Sequence, residues 1–385
     1  MEIYKDIFNV GVNDYKIDLF EGQYKVPNGI SYNSFLIKDR SVAILNSVEK
    51  DFSKKWLNNI NKVIGNLDVD YLIIQHMEPD HSGSIVELMN KYPNVKLVAS
   101  RQAFIMLKNF FKIERKDNIL IVKEGDTLTT GEHRLHFLEA KMVHWPEVIF
   151  VYDVISKVVF SSDAFGKFGI SDGIDDWVNE ARRYYFGIVG KYGLQVQNIL
   201  FKINKLDINC IAPLHGPILK KNISYYLSLY DIWSKYLIEE EGVVINYCSI
   251  YGNTKYVVLM IKDLLEKKGY YKIIINDLAR CDLHSAISDS FRYSKMILAA
   301  PTYNNDIFPF MRNFILSLIE RNYRNRIIGF IENGSWAPCA NKIMKSMFEK
   351  TDNEYFINQV TILSSTNDEC IKKINELVDE IVNYK

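Results

Sequence analysis

Six consecutive residues, His76-Met77-Glu78-Pro79-Asp80-His81, place two imidazoles and two carboxylates directly after the strand-like run Tyr71-Leu72-Ile73-Ile74. Three more candidate ligands stand at equivalent places. His144 follows Phe137–Val143, Asp163 closes Val158–Ser162, and His215 follows Cys210–Leu214. A polar loop can hold a histidine or an acid for no chemical reason. Seven such residues, each just past a strand-like run, would instead be gathered at one edge of a sheet sandwich and point to a metal site. Four imidazoles and three carboxylates without a thiolate suit iron, manganese or zinc. Three carboxylates, two divalent ions and one bridging hydroxide sum to zero charge, which removes the cost of unpaired charge in a closed site. Asp163 can serve two ions through its two oxygens.

A second constellation lies later in the chain. Ser249-Ile250-Tyr251-Gly252-Asn253-Thr254 connects the strand-like Val243–Tyr247 to a helix-like stretch. Hydroxyls, a glycine and a helix N-terminus form a cradle of backbone N–H groups for an anion. Neither G-x-x-x-x-G-K-[ST] nor G-x-G-x-x-G is present. Pro301-Thr302-Tyr303-Asn304-Asn305 and Gly334-Ser335-Trp336 follow two further strand-like runs. Tyr303 and Trp336 are the aromatics able to cover a flat ligand. A helix cap and packing aromatics are the plainer alternatives for these loops.

The elements that must position these residues differ between the two halves. Up to about residue 238, short Val- and Ile-rich runs alternate with loops and a few helical stretches. Ser41–Asn46, Tyr71–Ile74, Val95–Ala99, Val158–Phe160 and Cys210–Ala212 read as buried strands. Asp51–Ile64 and Gly83–Lys91 read as helices, so this half is an α/β sandwich rather than all-β. Ile223–Glu241 reads as a helix ending in an acidic run, and a domain boundary is expected near Glu241. From Gly242 onward strand and helix alternate regularly, the pattern of a doubly wound parallel sheet that binds ligands at its carboxyl ends.

Composition bounds the remaining possibilities. The chain has 385 residues, too long for one average domain. It carries 47 basic and 47 acidic residues, so its formal net charge is zero, which disfavours sequence-independent nucleic-acid binding. No apolar stretch has the length of a membrane span and no signal peptide is visible, so no membrane is expected as a partner. The five cysteines are widely spaced and form no C-x-x-C pair, which points to a reducing compartment. His133, His136 and His284 fall outside the metal pattern and read as structural or surface residues.

H-x-E-x-D-H with a later His, Asp and His resembles the flavodiiron proteins (A-type flavoproteins), a branch of the metallo-β-lactamase fold in which Glu78 stands where zinc hydrolases have a second histidine. Ser31-Tyr32-Asn33-Ser34, His144-Trp145-Pro146-Glu147 and Ser162-Asp163-Ala164-Phe165-Gly166 are similar to that family as well. Where many members carry Gln-His after Phe165-Gly166, this chain has Lys167-Phe168. The later loops resemble the flavodoxin FMN loops.

The resemblance implies an α/β chain with two parts. Residues 1–241 would form a metallo-β-lactamase-like αββα sandwich, and residues 242–385 a flavodoxin-like doubly wound parallel sheet. His76, Glu78 and His144 would bind one iron, Asp80, His81 and His215 the other, and Asp163 would bridge them, with no catalytic residue beyond these ligands. FMN would lie against Ser249, Ile250, Tyr251, Gly252, Asn253, Thr254, Pro301, Thr302, Tyr303, Asn304, Gly334, Ser335 and Trp336. The implied enzyme is an oxidoreductase that reduces O2 to water, NO to N2O, or both. With no rubredoxin or flavin reductase domain before the chain ends at Lys385, electrons are expected from a separate donor, such as rubredoxin with an NAD(P)H-dependent reductase. A head-to-tail homodimer or a tetramer in the cytoplasm completes the expectation. The alternative is a dizinc hydrolase fused to a flavodoxin domain.

Overall fold

The computed structural model describes residues 1–114, 117–170 and 177–384. The chain divides into two compact units, Met1–Ser234 and Lys235–Lys385.

The first unit is built on two sheets. One has seven strands, in the order Glu2–Tyr4, Ile7–Asn9, Phe35–Lys38, Val42–Leu45, Tyr71–Ile74, Lys96–Ala99 and Ile119–Ile121. The other has five, Thr127–Thr129, Arg134–Glu139, Ile149–Asp153, Val158–Phe160 and Cys210–Ala212. Alternation along each strand assigns its two faces. Ile37, Ala43, Leu45, Ile73 and Val98 pack between the sheets against Leu135, Phe137, Val151, Val158 and Phe160. Leu36, Ile44, Leu72 and Leu97 face the other way and pack under Trp56, Ile60, Leu88, Ala103 and Leu107, from the helices Ser53–Ile64, Ile85–Lys91 and Arg101–Phe111. Helix Gly193–Ile203 contacts the strand Arg134–Glu139 of the five-stranded sheet. The result is the αββα sandwich.

Register brings the site loops together. Val158–Phe160 and Cys210–Ala212 run parallel, with Phe160 opposite Ala212, so both release the chain at the same sheet edge. The Leu214 N–H donates to the Ser162 carbonyl at 2.8 Å, tying the two loops beyond it. Gln75 fastens the sheets to each other. Its side-chain amide donates to the Ile149 and Phe160 carbonyls, while its Oε1 accepts from Asn46.

The second unit is one sheet, ordered Ile273–Asp277, Glu240–Tyr247, Tyr293–Tyr303, Ile327–Asn333, with Glu354–Tyr355 and Val360–Ile362 both against the last of these. All of these pairings are parallel. Taken in chain order this is 2-1-3-4-5, the flavodoxin-like arrangement, whose switch point lies beside the first strand.

One sequence expectation is corrected. The helix read over Ile223–Glu241 ends at Ser234, and Glu240 already opens a strand. Tyr236 adopts a left-handed conformation at φ 56°. The carbonyls of Tyr236 and Leu237 accept hydrogen bonds from the buried Arg326 guanidinium, so the backbone is held out of helical pairing. The chain therefore divides between Ser234 and Lys235, ahead of the Glu241 expected from the acidic run.

Candidate metal centre and ligand cleft

The seven candidate ligands lie together in the first unit, and they fall into two groups. His76, Glu78, His144 and Asp163 form one, and Asp80, His81 and His215 the other, with ligand atoms inside each group within 4.8 Å of one another. Four loops contribute. The short helix Pro79–Ser82, opened by Pro79 at its first position, turns Asp80 and His81 inward after Glu78. His144 follows a turn in which Met142 has φ 64°, and the Val143–His144 peptide bond is cis. Asp163 lies between Ser162 at φ 51° and Phe165 at φ 66°. A Cβ on Gly166 would sit 2.9 Å from the Asp163 carbonyl, so only glycine allows this tight return.

All four imidazoles present Nε2 to the centre. Asp163 is fully buried and serves both groups. Its Oδ2 lies 3.1 Å from His76 and 3.2 Å from His144, while its Oδ1 lies 3.1 Å from His81 and 3.6 Å from His215. Glu78 Oε2 stands 3.2 Å from His76 and 3.1 Å from His144. Asp80 Oδ2 stands 3.2 Å from His81 and 3.3 Å from His215.

Charge accounts for the proton equilibria of the cluster. Burial pulls the His144 imidazole down, but hydrogen bonds to Asp163 and Glu78 outweigh it and hold it up at about 9. Burial likewise opposes, and the Asp163 charge overcomes, the rise of His76 well above the usual imidazole range. Against the desolvation that would raise it, Asp163 is held well below the ordinary carboxylate range by the charges of His76 and His81.

The residues fit a pair of metal ions. Both oxygens of Asp80 and both of Asp163 are buried, and among the described residues no donor other than the cluster's own imidazoles stands against them. Buried carboxylate oxygens are costly unless something cationic engages them. Three carboxylates and four imidazoles form an oxygen- and nitrogen-donor set without thiolate, the chemistry of iron, manganese or zinc.

Aromatic rings close one side. Phe20 meets the His215 ring edge-on at 5.3 Å and Tyr184 approaches it at 5.5 Å. Phe168 is buried against Phe20, Tyr24 and Tyr184, and the Arg183 guanidinium lies 4.4 Å from its ring. Lys167 is buried with its stem against Gly216, where a Cβ would meet Lys167 Cγ at 2.7 Å.

Of the histidines set aside from the site, His133 is buried and pairs with Asp153 at 2.7 Å, and His284 is buried in the second unit. Sequence reasoning gave no separate role to Glu147, which contacts His76, nor to Gln75 and Asn46, which brace that loop. Glu147 stood inside a stretch already singled out, but nothing in the chain order says which side chain it meets.

In the second unit a cleft of about 590 Å³ opens at the carboxyl ends of the strands, within the range of small-molecule sites. Ser249, Ile250, Tyr251, Asn253, Thr254, Pro301, Thr302, Tyr303, Asn304, Gly334, Ser335 and Trp336 line it. Gly252 does not line it; at φ 95° it turns the chain into the helix Asn253–Lys267. Asn305, Asn333 and Ser364 line it without having been assigned to the site. Asn333 is the last residue of its strand, a position that marks it in hindsight. Ser249 Oγ accepts from the Gly252 and Lys255 N–H groups. The Thr302 hydroxyl accepts from the Cys339 and Ala340 N–H groups, so it also fastens the start of the helix Ala340–Met347. Tyr251 and Trp336 stand 93% and 81% exposed on the lip. A helix N-terminus with hydroxyls and amides, and flat aromatics at the rim, fit a phosphate joined to a planar ring.

Residues 30–216 match the family model described as ODP family beta lactamase. The anaerobic nitric oxide reductase flavorubredoxin of Escherichia coli is 28% identical over 343 residues, 86% of this chain and 71% of that protein. The rubredoxin oxygen:oxidoreductase of Desulfovibrio gigas superposes with a TM-score of 0.92 at 22% identity, over 99% of this chain and 97% of that one. The flavo di-iron protein of Thermotoga maritima, solved as a point mutant, gives 0.89 at 24% identity, over 99% and 97%. The chain is similar to flavodiiron proteins in fold. The likeness extends through both halves, so the sandwich and the flavodoxin-like sheet occur together in its relatives as they do here. The dizinc hydrolase alternative is not favoured by these matches.

Proposed function

We propose that this chain is a flavodiiron oxidoreductase that reduces O2 to water, NO to N2O, or both, using two irons in the first unit and FMN in the second. The observation that carries the reading is Asp163, whose two oxygens face two separate imidazole pairs. One carboxylate so placed holds two cations a short distance apart. His76, Glu78 and His144 would hold one iron, and Asp80, His81 and His215 the other. The irons would bind the gas and FMN would pass electrons to them singly.

The chain's own residues set the conditions for that chemistry. The ligands orient the ions and balance their charge. Phe20 and Tyr184 pack against the buried His215 ring, and Phe168 packs behind both of them. Ser249 and the N–H groups of the following helix would hold the FMN phosphate, and Trp336, Tyr251 and Tyr303 would cover the ring. The electron donor in this reading is a rubredoxin-type protein with its own NAD(P)H-dependent reductase. The names of the relatives support this, one a rubredoxin oxygen:oxidoreductase and one a flavorubredoxin.

A head-to-tail homodimer, or a tetramer built from it, and a cytoplasmic setting belong to the same proposal. Among the described residues no helix is long and apolar enough to cross a membrane. Sedimentation showing an active monomer would remove the dimer.

The deciding experiment is gas consumption by FMN- and iron-loaded protein, with rubredoxin and its reductase supplying electrons. O2 and NO are tested side by side. Loss of either gas, with N2O appearing in the NO arm, is expected. Two bound cofactors with no turnover of either gas would sink the reading.

A further inference from the structure

We infer that Glu147 makes the two metal positions unequal, so that the one built from His76, Glu78 and His144 binds its ion more tightly than the one built from Asp80, His81 and His215. The inference rests on the paired-metal reading above and deepens it.

The asymmetry lies in what backs each imidazole. His76 points Nε2 at the cluster and Nδ1 at Glu147 Oε1, 2.8 Å away. That same oxygen accepts the Met77 N–H at 2.9 Å. The other oxygen of Glu147, Oε2, is buried and has no partner. The side chain is 1% exposed, so its charge acts on His76 with little solvent screening. In the other group, His215 Nδ1 meets only the neutral Ser31 carbonyl at 2.8 Å, and His81 Nδ1 is buried without a partner. A carboxylate behind a ligating imidazole fixes its tautomer and raises its basicity, an effect of about 10–100-fold in metal affinity. One position has such support on His76; neither imidazole of the other has it. Glu147 is thus a positioning residue that acts through His76 and touches no ion itself.

The test is stepwise zinc binding, measured by competition with a chromophoric chelator. In the wild-type chain two ions bind, the first at least tenfold tighter. Glu147→Gln keeps the shape and an acceptor but removes the charge, and is expected to bring the two constants to within a few-fold. Two further backgrounds locate the effect. With His215→Ala present, only the His76 position remains, and adding Glu147→Gln should weaken zinc about 10–100-fold. With His144→Ala present, the same addition should cost less than threefold. Equal losses in both backgrounds would mean a merely structural role, and unchanged constants in Glu147→Gln would mean none; either overturns the inference while leaving the paired site intact. A wild-type chain that binds fewer than two zinc ions would overturn the paired-metal reading itself, and this inference with it. Thermal unfolding of each metal-free variant separates weakened binding from misfolding.

Discussion

The Nε2 atoms of His81 and His215 lie 3.0 Å apart, with their rings tilted by 58°. Two imidazole nitrogens at that distance share at most one proton. A metal with bonds of about 2.0–2.1 Å to each nitrogen brings them to nearly the same separation. Asp80 Oδ2, 3.2 Å from the first and 3.3 Å from the second, supplies a third corner.

Removing one corner should therefore remove one ion. His215→Ala is expected to lower the metal content of reconstituted protein from two ions per chain to one. Elemental analysis after gel filtration reads this directly. A variant that still holds two ions would show that His215 is no ligand.

Asp163→Asn should do more harm than any single histidine replacement, because Asp163 faces both groups. The substitution keeps the volume but removes the charge shared by the two positions. Total metal content is expected to fall well below one ion per chain, and metal-dependent stabilisation should disappear with it. The midpoint of thermal unfolding, taken with and without excess metal, measures that second effect. An Asp163→Asn chain that retains two ions would exclude the bridging role.

Trp336→Ala removes the large exposed aromatic on the lip of the second cleft. Loss of ring stacking of about 1–3 kcal/mol corresponds to a 5- to 150-fold weaker Kd. Quenching of flavin fluorescence on titrating FMN into the metal-free, flavin-free chain gives the number. Leu363→Ala, a half-exposed residue that does not line the cleft, should leave it unchanged. Equal affinity in Trp336→Ala would place the isoalloxazine elsewhere.

The His133–Asp153 pair predicts how stability depends on pH. The hydrogen bond to Asp153 raises the His133 imidazole above its ordinary value, despite opposition from burial. Its contribution is complete below the unfolded value of about 6.5 and is lost as pH rises through the folded one. Burial opposes, and hydrogen bonds from His133 and Ser156 achieve, the lowering of Asp153. That contribution is present above about 3.9 and is lost as pH falls through the folded value. In wild-type protein the unfolding midpoint of the first unit should decline from about pH 6.5 upward, and His133→Gln should flatten that decline at a cost of about 1–3 kcal/mol below it. A slope identical in both proteins would assign it to other groups.

The strands carrying the site were legible because each is a short run of buried apolar residues that ends where a polar residue begins. Tyr71–Ile74, Val158–Phe160 and Cys210–Ala212 show this plainly, and so His76, Asp163 and His215 stood out as candidates. The C-terminal alternation was equally plain, since the strands Glu240–Tyr247, Ile273–Asp277 and Ile327–Asn333 are each followed directly by a helix of eight residues or more. The end of the helix after Ile223 was not. An acidic run favours neither continuation nor ending strongly, and the left-handed Tyr236 is held by Arg326, a residue 90 positions later.

Residue types and local order are properties of the chain, so the donor set, the two-part architecture and the candidate anion cradle belong to the sequence alone. Which oxygen of Asp163 faces which imidazole, and that a carboxylate rather than a carbonyl stands behind His76, depend on contacts between residues 19 or more positions apart in the chain. No local propensity encodes such distances. They are set when the strands Val158–Phe160 and Cys210–Ala212 pair in parallel and Gln75 locks the facing sheet against them, so the tertiary structure alone decides how charge is shared between the two metal positions.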